Sequence, residues 1–237
     1  MKIQSLPALL EGNSYPGRGI ILGRSADNRC SVAAYFIMGR SENSRNRVFA
    51  VTNDGIRTKA FDASKMSDPS LIIYHPVRLL DGALIVTNGD QTDTIWDALK
   101  QGNSFYSALE TRAFEQDPPH YTPRISGLLS KNGDIRLSIL KSADGRPETC
   151  CRQFYAYQSP PAGEGRFIHT YAGDGDPLPS FEGEPHRVKL EAPDAKTLAE
   201  GIWNALNHEN RVSLFVRYTN LSDGKHQDAI INRFQPT

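Results

Sequence analysis

Short apolar, β-branched and aromatic runs separated by turn residues make up most of this chain. They predict strands over 19–23, 31–38, 47–52, 71–74, 77–80 and 83–87, then over 124–129, 134–141, 153–157, 166–171, 186–191, 211–219 and 229–234. Asn53-Asp54-Gly55, Asp81-Gly82, Asn132-Gly133-Asp134, Asp144-Gly145 and Ser222-Asp223-Gly224 supply turns between several of them. Asp81-Gly82, between 77–80 and 83–87, predicts a tight hairpin. Apolar residues at helical spacing are fewer. One helix is predicted over 94–100, opened by Thr94-x-x-Asp97 and stopped by Gly102. A second spans 104–115, with Phe105, Ala108, Leu109 and Arg112 on one face, and a third follows Pro193-Asp194 with a stripe of Leu198, Ile202, Ala205 and Leu206. Many antiparallel-type strands with a few clustered helices predict an α+β fold of two sheets with helices outside. The loops 159–165 and 173–185 do not read as domain boundaries, because strands of the same character resume after each.

Composition narrows the class. Lys+Arg and Asp+Glu are 27 each in 237 residues, so the formal charge is zero and the basic surface of a non-specific nucleic-acid binder is absent. An apolar content of 38% supports a folded core. No run approaches the roughly 18 apolar residues of a membrane span, and Met1-Lys2-Ile3-Gln4-Ser5-Leu6-Pro7 does not open like a signal peptide. Cys30, Cys150 and Cys151 fit neither a disulfide framework nor a C-x-x-C pair. A cytoplasmic protein with no metal site is expected.

The charge is uneven. Between positions 18 and 47 stand six arginines (Arg18, Arg24, Arg29, Arg40, Arg45, Arg47), no lysine, and only Asp27 and Glu42 in opposition. Guanidinium forks grip phosphates and carboxylates bidentately, so this local excess points to a compact anion. Gly39-Arg40-Ser41-Glu42-Asn43-Ser44-Arg45-Asn46-Arg47 follows a strand end and is rich in donors; its arginines either bind a ligand or hold carboxylates of neighbouring strands. Thr87-Asn88-Gly89-Asp90-Gln91-Thr92-Asp93-Thr94-Ile95 runs from a strand into a helix N-terminus, where free amides favour polar ligand atoms, although a turn plus a cap at Asp93 or Thr94 accounts for much of it. Tyr74 ends a strand, Glu115 ends a helix and Arg124 enters a strand. The six histidines lack metal-ligand spacing.

Taken in order, Tyr15-x-Gly17-Arg18, Gly39-Arg40-Ser41…Arg45-Asn46-Arg47, Tyr74, Asn88-Gly89-x-x-Thr92-Asp93-Thr94-Ile95 and Thr122-Pro123-Arg124-Ile125 resemble the archaeal-type IMP cyclohydrolase family, with Thr170-Tyr171 a looser match beyond. The resemblance implies a single domain over 1–237, with 1–14 an N-terminal extension. It implies a four-layer αββα sandwich like the N-terminal-nucleophile hydrolases, and ring closure of 5-formamidoimidazole-4-carboxamide ribonucleotide to inosine monophosphate with loss of water, without cofactor or metal. On that chemistry Tyr74 is the expected proton donor or oxyanion partner, Glu115 the expected base, and Arg45 a catalytic cation. Arg18, Arg40, Arg47, Asn88, Gly89, Asp90, Thr92, Asp93 and Arg124 are expected to hold substrate. The partner is a nucleotide monophosphate rather than nucleic acid or membrane, and a homo-oligomer is left open. Two alternatives remain: a non-catalytic purine-nucleotide-binding module, and an amidohydrolase that would need cleavage before Cys30 to expose a nucleophile.

Overall fold

The computed structural model describes residues 2–65 and 73–234. Among these, two antiparallel sheets face each other. The first contains β1 (Arg18–Arg24), β2 (Cys30–Met38), β10 (Glu164–His169), β11 (His186–Lys189), β12 (Arg211–Asn220) and β13 (His226–Asn232), in the order β11-β10-β1-β2-β12-β13. The second is a meander in chain order: β3 (Arg47–Thr52), β4 (Gly55–Ala60), β5 (Val77–Leu80), β6 (Ala83–Thr87), β7 (Arg124–Leu129), β8 (Ile135–Ala143) and β9 (Arg146–Tyr157).

Central strands are apolar on both faces because both faces are covered. In β2, Val32, Ala34, Phe36 and Met38 point to a layer shared with α1 (Leu6–Glu11) and α5 (Ala195–Ala205), while Ala33, Tyr35 and Ile37 point between the sheets. The second sheet behaves likewise: Val86, Ile125, Leu137 and Ile139 face the first sheet, whereas Ile85, Leu128 and Leu140 pack on α3 (Gln91–Lys100) and α4 (Phe105–Glu110). The result is the expected α+β arrangement, layered helix–sheet–sheet–helix. Among the described residues no helix is long and apolar enough to cross a membrane.

Several elements differ from expectation for definable reasons. β4 pairs along all of β3, yet its Arg57 and Lys59 face solvent, so only Gly55, Ile56 and Thr58 are buried and no apolar run marks it. β9 starts seven residues early because it is an exposed edge strand with little apolar signal. α1 is a single short helix, capped by Ser5 and started by Pro7, that anchors Leu6 and Leu10 in the core. α3 begins at Gln91, not Thr94, and its cap position Asp90 makes no side-chain cap bond. α4 ends at Glu110, leaving Phe114 and Glu115 outside the helix. Of the predicted strand at 71–74, Leu71 and Ile72 lie outside the described residues. Tyr74 itself is not in a strand, although Thr58 holds its backbone through Thr58 N–H to Tyr74 C=O and Tyr74 N–H to Thr58 Oγ1, both 2.9 Å. Asp194 caps α5 as expected, accepting from the Thr197 amide at 2.8 Å.

Candidate active site

A cavity of about 330 Å³ opens at the end of the sandwich where β1 starts, β2 ends and β3 starts. Its walls come from Tyr15 and Arg18, from the loop carrying Arg40 to Ser44, from Arg47, from the segment Glu115–Thr122, and from Tyr171. That size falls at the lower end of small-ligand pockets, which span about 300–1,000 Å³.

Arg18 reaches the cavity through a glycine. Gly17 has φ +74°, and a Cβ there would overlap the Thr170 hydroxyl and the Tyr171 ring, so only glycine lets the chain pass so close before β1 begins. The Arg18 amide then donates to Thr170 Oγ1 at 3.1 Å. No ion pair or side-chain hydrogen bond engages the Arg18 guanidinium among the described residues, and its Nε is buried without a partner. Arg47 is 1% exposed; its Nε donates to Ser44 C=O at 2.8 Å, while its Nη2 is likewise buried and unpartnered. Burial, and secondarily the charge of Arg18, pull the Arg47 pKa below the ordinary arginine value. Burial acts on Arg18 in the same sense, but the phenols of Tyr15 and Tyr171 and the Glu115 carboxyl outweigh it, leaving that pKa raised.

Glu115 is delivered by the segment after α4, where its amide donates to Thr122 C=O at 3.0 Å. Its carboxyl is buried and makes no hydrogen bond or close ion pair among the described residues. Burial raises its pKa, while Arg18 and Arg124 pull the other way. A buried carboxyl held between these influences is suited to taking and returning a proton.

In the same wall segment, Thr122 donates its one hydroxyl proton to Asp117 Oδ2 at 2.5 Å, and its amide donates to Asp117 Oδ1 at 2.7 Å. The Tyr171 hydroxyl, 2.7 Å from Thr122 Oγ1, must therefore be the donor in that pair. Tyr171 then offers the cavity only lone pairs, and burial raises its pKa to about 12 despite Arg18. Its ring stacks on Tyr15 with centroids 5.9 Å apart. Arg40 sits at the rim, over the Tyr15 ring and ion-paired with Asp174 at 2.7 Å.

The expected residues thus divide. Arg18, Arg40, Arg47 and Glu115 converge on the cavity, and Tyr74 lies just behind it, near enough to Arg18 and Arg47 to interact with both charges. Arg45 goes elsewhere: its Nε donates to Gly39 C=O at 2.9 Å and its Nη2 to Asn210 Oδ1 at 3.0 Å, so it staples the loop at its base. The stretch from Asn88 is a scaffold rather than a wall. Asn88 accepts from the Ile125 amide and donates to Pro123 C=O, both at 2.8 Å, and Thr92 bonds Thr87 and Gly89. Asp93 pairs with Arg78 at 2.9 Å. Asp90 is held ionised by Arg112 and Arg124, with its pKa lowered despite burial, which is why it does not cap α3. Gly89 lies against Arg124, where a Cβ would overlap the guanidinium. Together with Gln91 Oε1, 2.6 Å from Arg124 Nη1, this stretch fixes Arg124 within electrostatic range of Glu115.

Sequence reasoning did not single out Asn43, Asp117, His120 or Tyr171 as site residues, and all four line the cavity. Asp117 and His120 sit in no charge cluster or strand end that would have marked them, whereas Asn43 lies within the arginine-rich loop and Tyr171 closes the predicted strand 166–171 without standing out from their neighbours. The amidohydrolase alternative fits poorly. Cys30 starts β2, at the opposite end from the cavity, and burial raises its thiol pKa rather than activating it. Removal of residues 1–29 would also take out β1, which lies between β10 and β2.

Known proteins resemble this chain over most of its length. The family described as IMP cyclohydrolase-like protein matches residues 15–233. The IMP cyclohydrolase of Methanopyrus kandleri is 28% identical over 189 residues, covering 71% of this chain and 89% of the relative. That of Methanosphaera stadtmanae is 26% identical over 197 residues, covering 80% and 85%. That of Methanococcus maripaludis strain C7 is 33% identical over 146 residues, covering 56% and 71%. From its match over nearly the whole chain and the cavity at the sandwich end, the protein belongs to the IMP cyclohydrolase-like family.

Proposed function

We propose that the chain is an IMP cyclohydrolase, closing 5-formamidoimidazole-4-carboxamide ribonucleotide to inosine monophosphate with release of water. The observation that carries this is the pair Arg18 and Arg47: two guanidinium groups in one cavity, Arg47 buried and Arg18 half-buried with its Nε enclosed, neither ion-paired among the described residues. Buried charge without a counter-charge is costly, so such a pair belongs in a site whose ligand brings negative charge.

The reaction joins the carboxamide nitrogen to the formyl carbon of the same molecule. The nitrogen loses one proton as the bond forms, negative charge gathers on the former formyl oxygen, and that oxygen leaves as water after a second proton departs the formamido nitrogen. An amide nitrogen is a weak nucleophile, so the cavity first contributes by holding the two groups in a near-attack arrangement. Arg40 and the polar loop residues Ser41, Asn43 and Ser44 at the rim suit the phosphate. Arg18 and Arg47, deeper, suit the formyl and carboxamide oxygens, where donors act with little water to screen them. Glu115 takes the nitrogen proton, and Tyr74 donates toward the developing oxyanion. Tyr171, its own proton committed to Thr122, accepts from a ribose hydroxyl or amide N–H. Arg45 and the stretch 88–93 position this machinery without touching substrate. A cytoplasmic location follows from the same reading.

The test is direct. Purified protein is mixed with the formamido ribonucleotide and the purine absorbance is followed. Turnover supports the assignment; tight nucleotide binding without turnover would instead favour a binding module.

A further inference from the structure

We propose that Tyr35 is a positioning residue whose hydroxyl donates to Tyr74 and thereby turns the Tyr74 proton toward the substrate. This rests on the ring-closure reading above. Tyr35 lies on β2, is 0% exposed, and points into the layer between the sheets among Ile20, Ala33, Ile37 and Phe49. Its ring stacks on Phe49 with centroids 5.8 Å apart. Its Oη is 2.9 Å from Tyr74 Oη, and neither phenol has another hydrogen-bond partner among the described residues.

Each phenol has one proton, so the direction of this bond decides what Tyr74 presents. If Tyr74 donated, the Tyr35 proton would be left without an acceptor in an apolar layer, a penalty of the size of a buried unsatisfied donor. If Tyr35 donates, its proton is satisfied and the Tyr74 proton is free to point elsewhere. Tyr35 is wholly enclosed whereas Tyr74 keeps 4% exposure, so the open side belongs to the Tyr74 proton, and there Arg18 and Arg47, within electrostatic range of both phenols, favour a substrate oxygen that gathers negative charge. The two site tyrosines thus have opposite polarity: Tyr171 shows lone pairs because Thr122 takes its proton, and Tyr74 shows a proton because Tyr35 fills its lone pair. The backbone bonds from Thr58 hold Tyr74 in register for this.

The experiment is steady-state kinetics on wild type, Tyr35→Phe, Tyr74→Phe and the double variant. Tyr35→Phe keeps the ring stacked on Phe49 and removes only the donor. It is expected to lower kcat by about tenfold with KM changed less than about twofold. In the Tyr74→Phe background the same substitution is expected to change kcat less than about twofold, because Tyr35 acts through Tyr74. Equal losses in both backgrounds, or a Tyr35→Phe kcat within about twofold of wild type, would overturn the proposal. If Tyr35→Phe does not fold, 3,5-difluorotyrosine at position 35 keeps the shape and strengthens the donor; an unchanged kcat then overturns it. An inactive wild type would overturn the ring-closure reading, whereas an active wild type with a silent Tyr35→Phe overturns only this one.

Discussion

Glu115 does opposite things to stability and to chemistry. The Glu115 carboxyl has a folded pKa above its ordinary 4.5, chiefly through burial. As pH rises past that ordinary value, the unfolded chain releases this proton first, so folding loses stability until the folded pKa is passed. Each tenfold difference in proton affinity between the two states is worth about 1.4 kcal/mol. Glu115→Gln is therefore expected to unfold at a higher temperature than wild type at pH 7–8, with the difference closing near pH 4, while kcat falls about 10²–10⁴-fold. Thermal melts across that pH range alongside kinetics check both halves; a variant less stable at neutral pH would mean that the attraction of Arg18 and Arg124 outweighs burial. Tyr74→Phe is expected to lower kcat by about 10²-fold, and a loss under threefold would remove Tyr74 from the chemistry. Both residues were legible in the chain, but their surroundings were not. Nothing in the neighbourhood of Tyr35 or Thr122 indicates that their hydroxyls meet Tyr74 and Tyr171, 39 and 49 positions away.

At the scale of elements, the sequence separates what is buried on two faces from what is half-buried. The central strands β1, β2, β7 and β12 were readable because both faces are covered and the runs are nearly all apolar. β4 and the first half of β9 were not, since their exposed faces carry Arg, Lys and Glu. The site suffered from a related ambiguity: a short stretch of polar residues reads the same whether it faces a ligand or ties two elements together. Asn88 illustrates this, since its amide bridges the end of β6 to the Pro123–Ile125 backbone and accepts from Gln91. Asn88→Ala strands an amide and a carbonyl in a buried place and is expected to destabilise by about 2–4 kcal/mol, read as a lower denaturation midpoint. The Arg45 staple is only partly buried, so Arg45→Ala is expected to cost about 1 kcal/mol and to raise KM through a loosened rim. A drop in kcat with KM unchanged would instead restore Arg45 to the chemistry.

For the whole molecule, the connectivity couples the site to folding. The first sheet combines strands from both ends of the chain, and the second is the meander between them. The cavity takes Arg18 and Arg40 from beside β1 and β2, Arg47 from the start of the meander, Glu115 from its middle and Tyr171 from beyond β10. No part of the chain contains the site by itself, so its electrostatic strain is borne by the global fold. Arg18 and Arg47 repel each other there, each lacking an ion-pair partner among the described residues. An anionic ligand relieves that repulsion, and binding to the folded state alone stabilises it by about 2.7 kcal/mol at a hundredfold excess over Kd. At roughly 2–4 °C per kcal/mol for a chain of this size, inosine monophosphate is expected to raise Tm by about 5–10 °C. Inosine, without phosphate, should give a much smaller shift. Arg47→Met should raise the Tm of the free protein, since it removes a buried charge while filling the space, and should also shrink the nucleotide-dependent rise. Should inosine and its monophosphate stabilise equally, or should Arg47→Met melt lower than wild type, the Arg18–Arg47 pair would be structural, and the anion would have to be sought at the Arg40 rim.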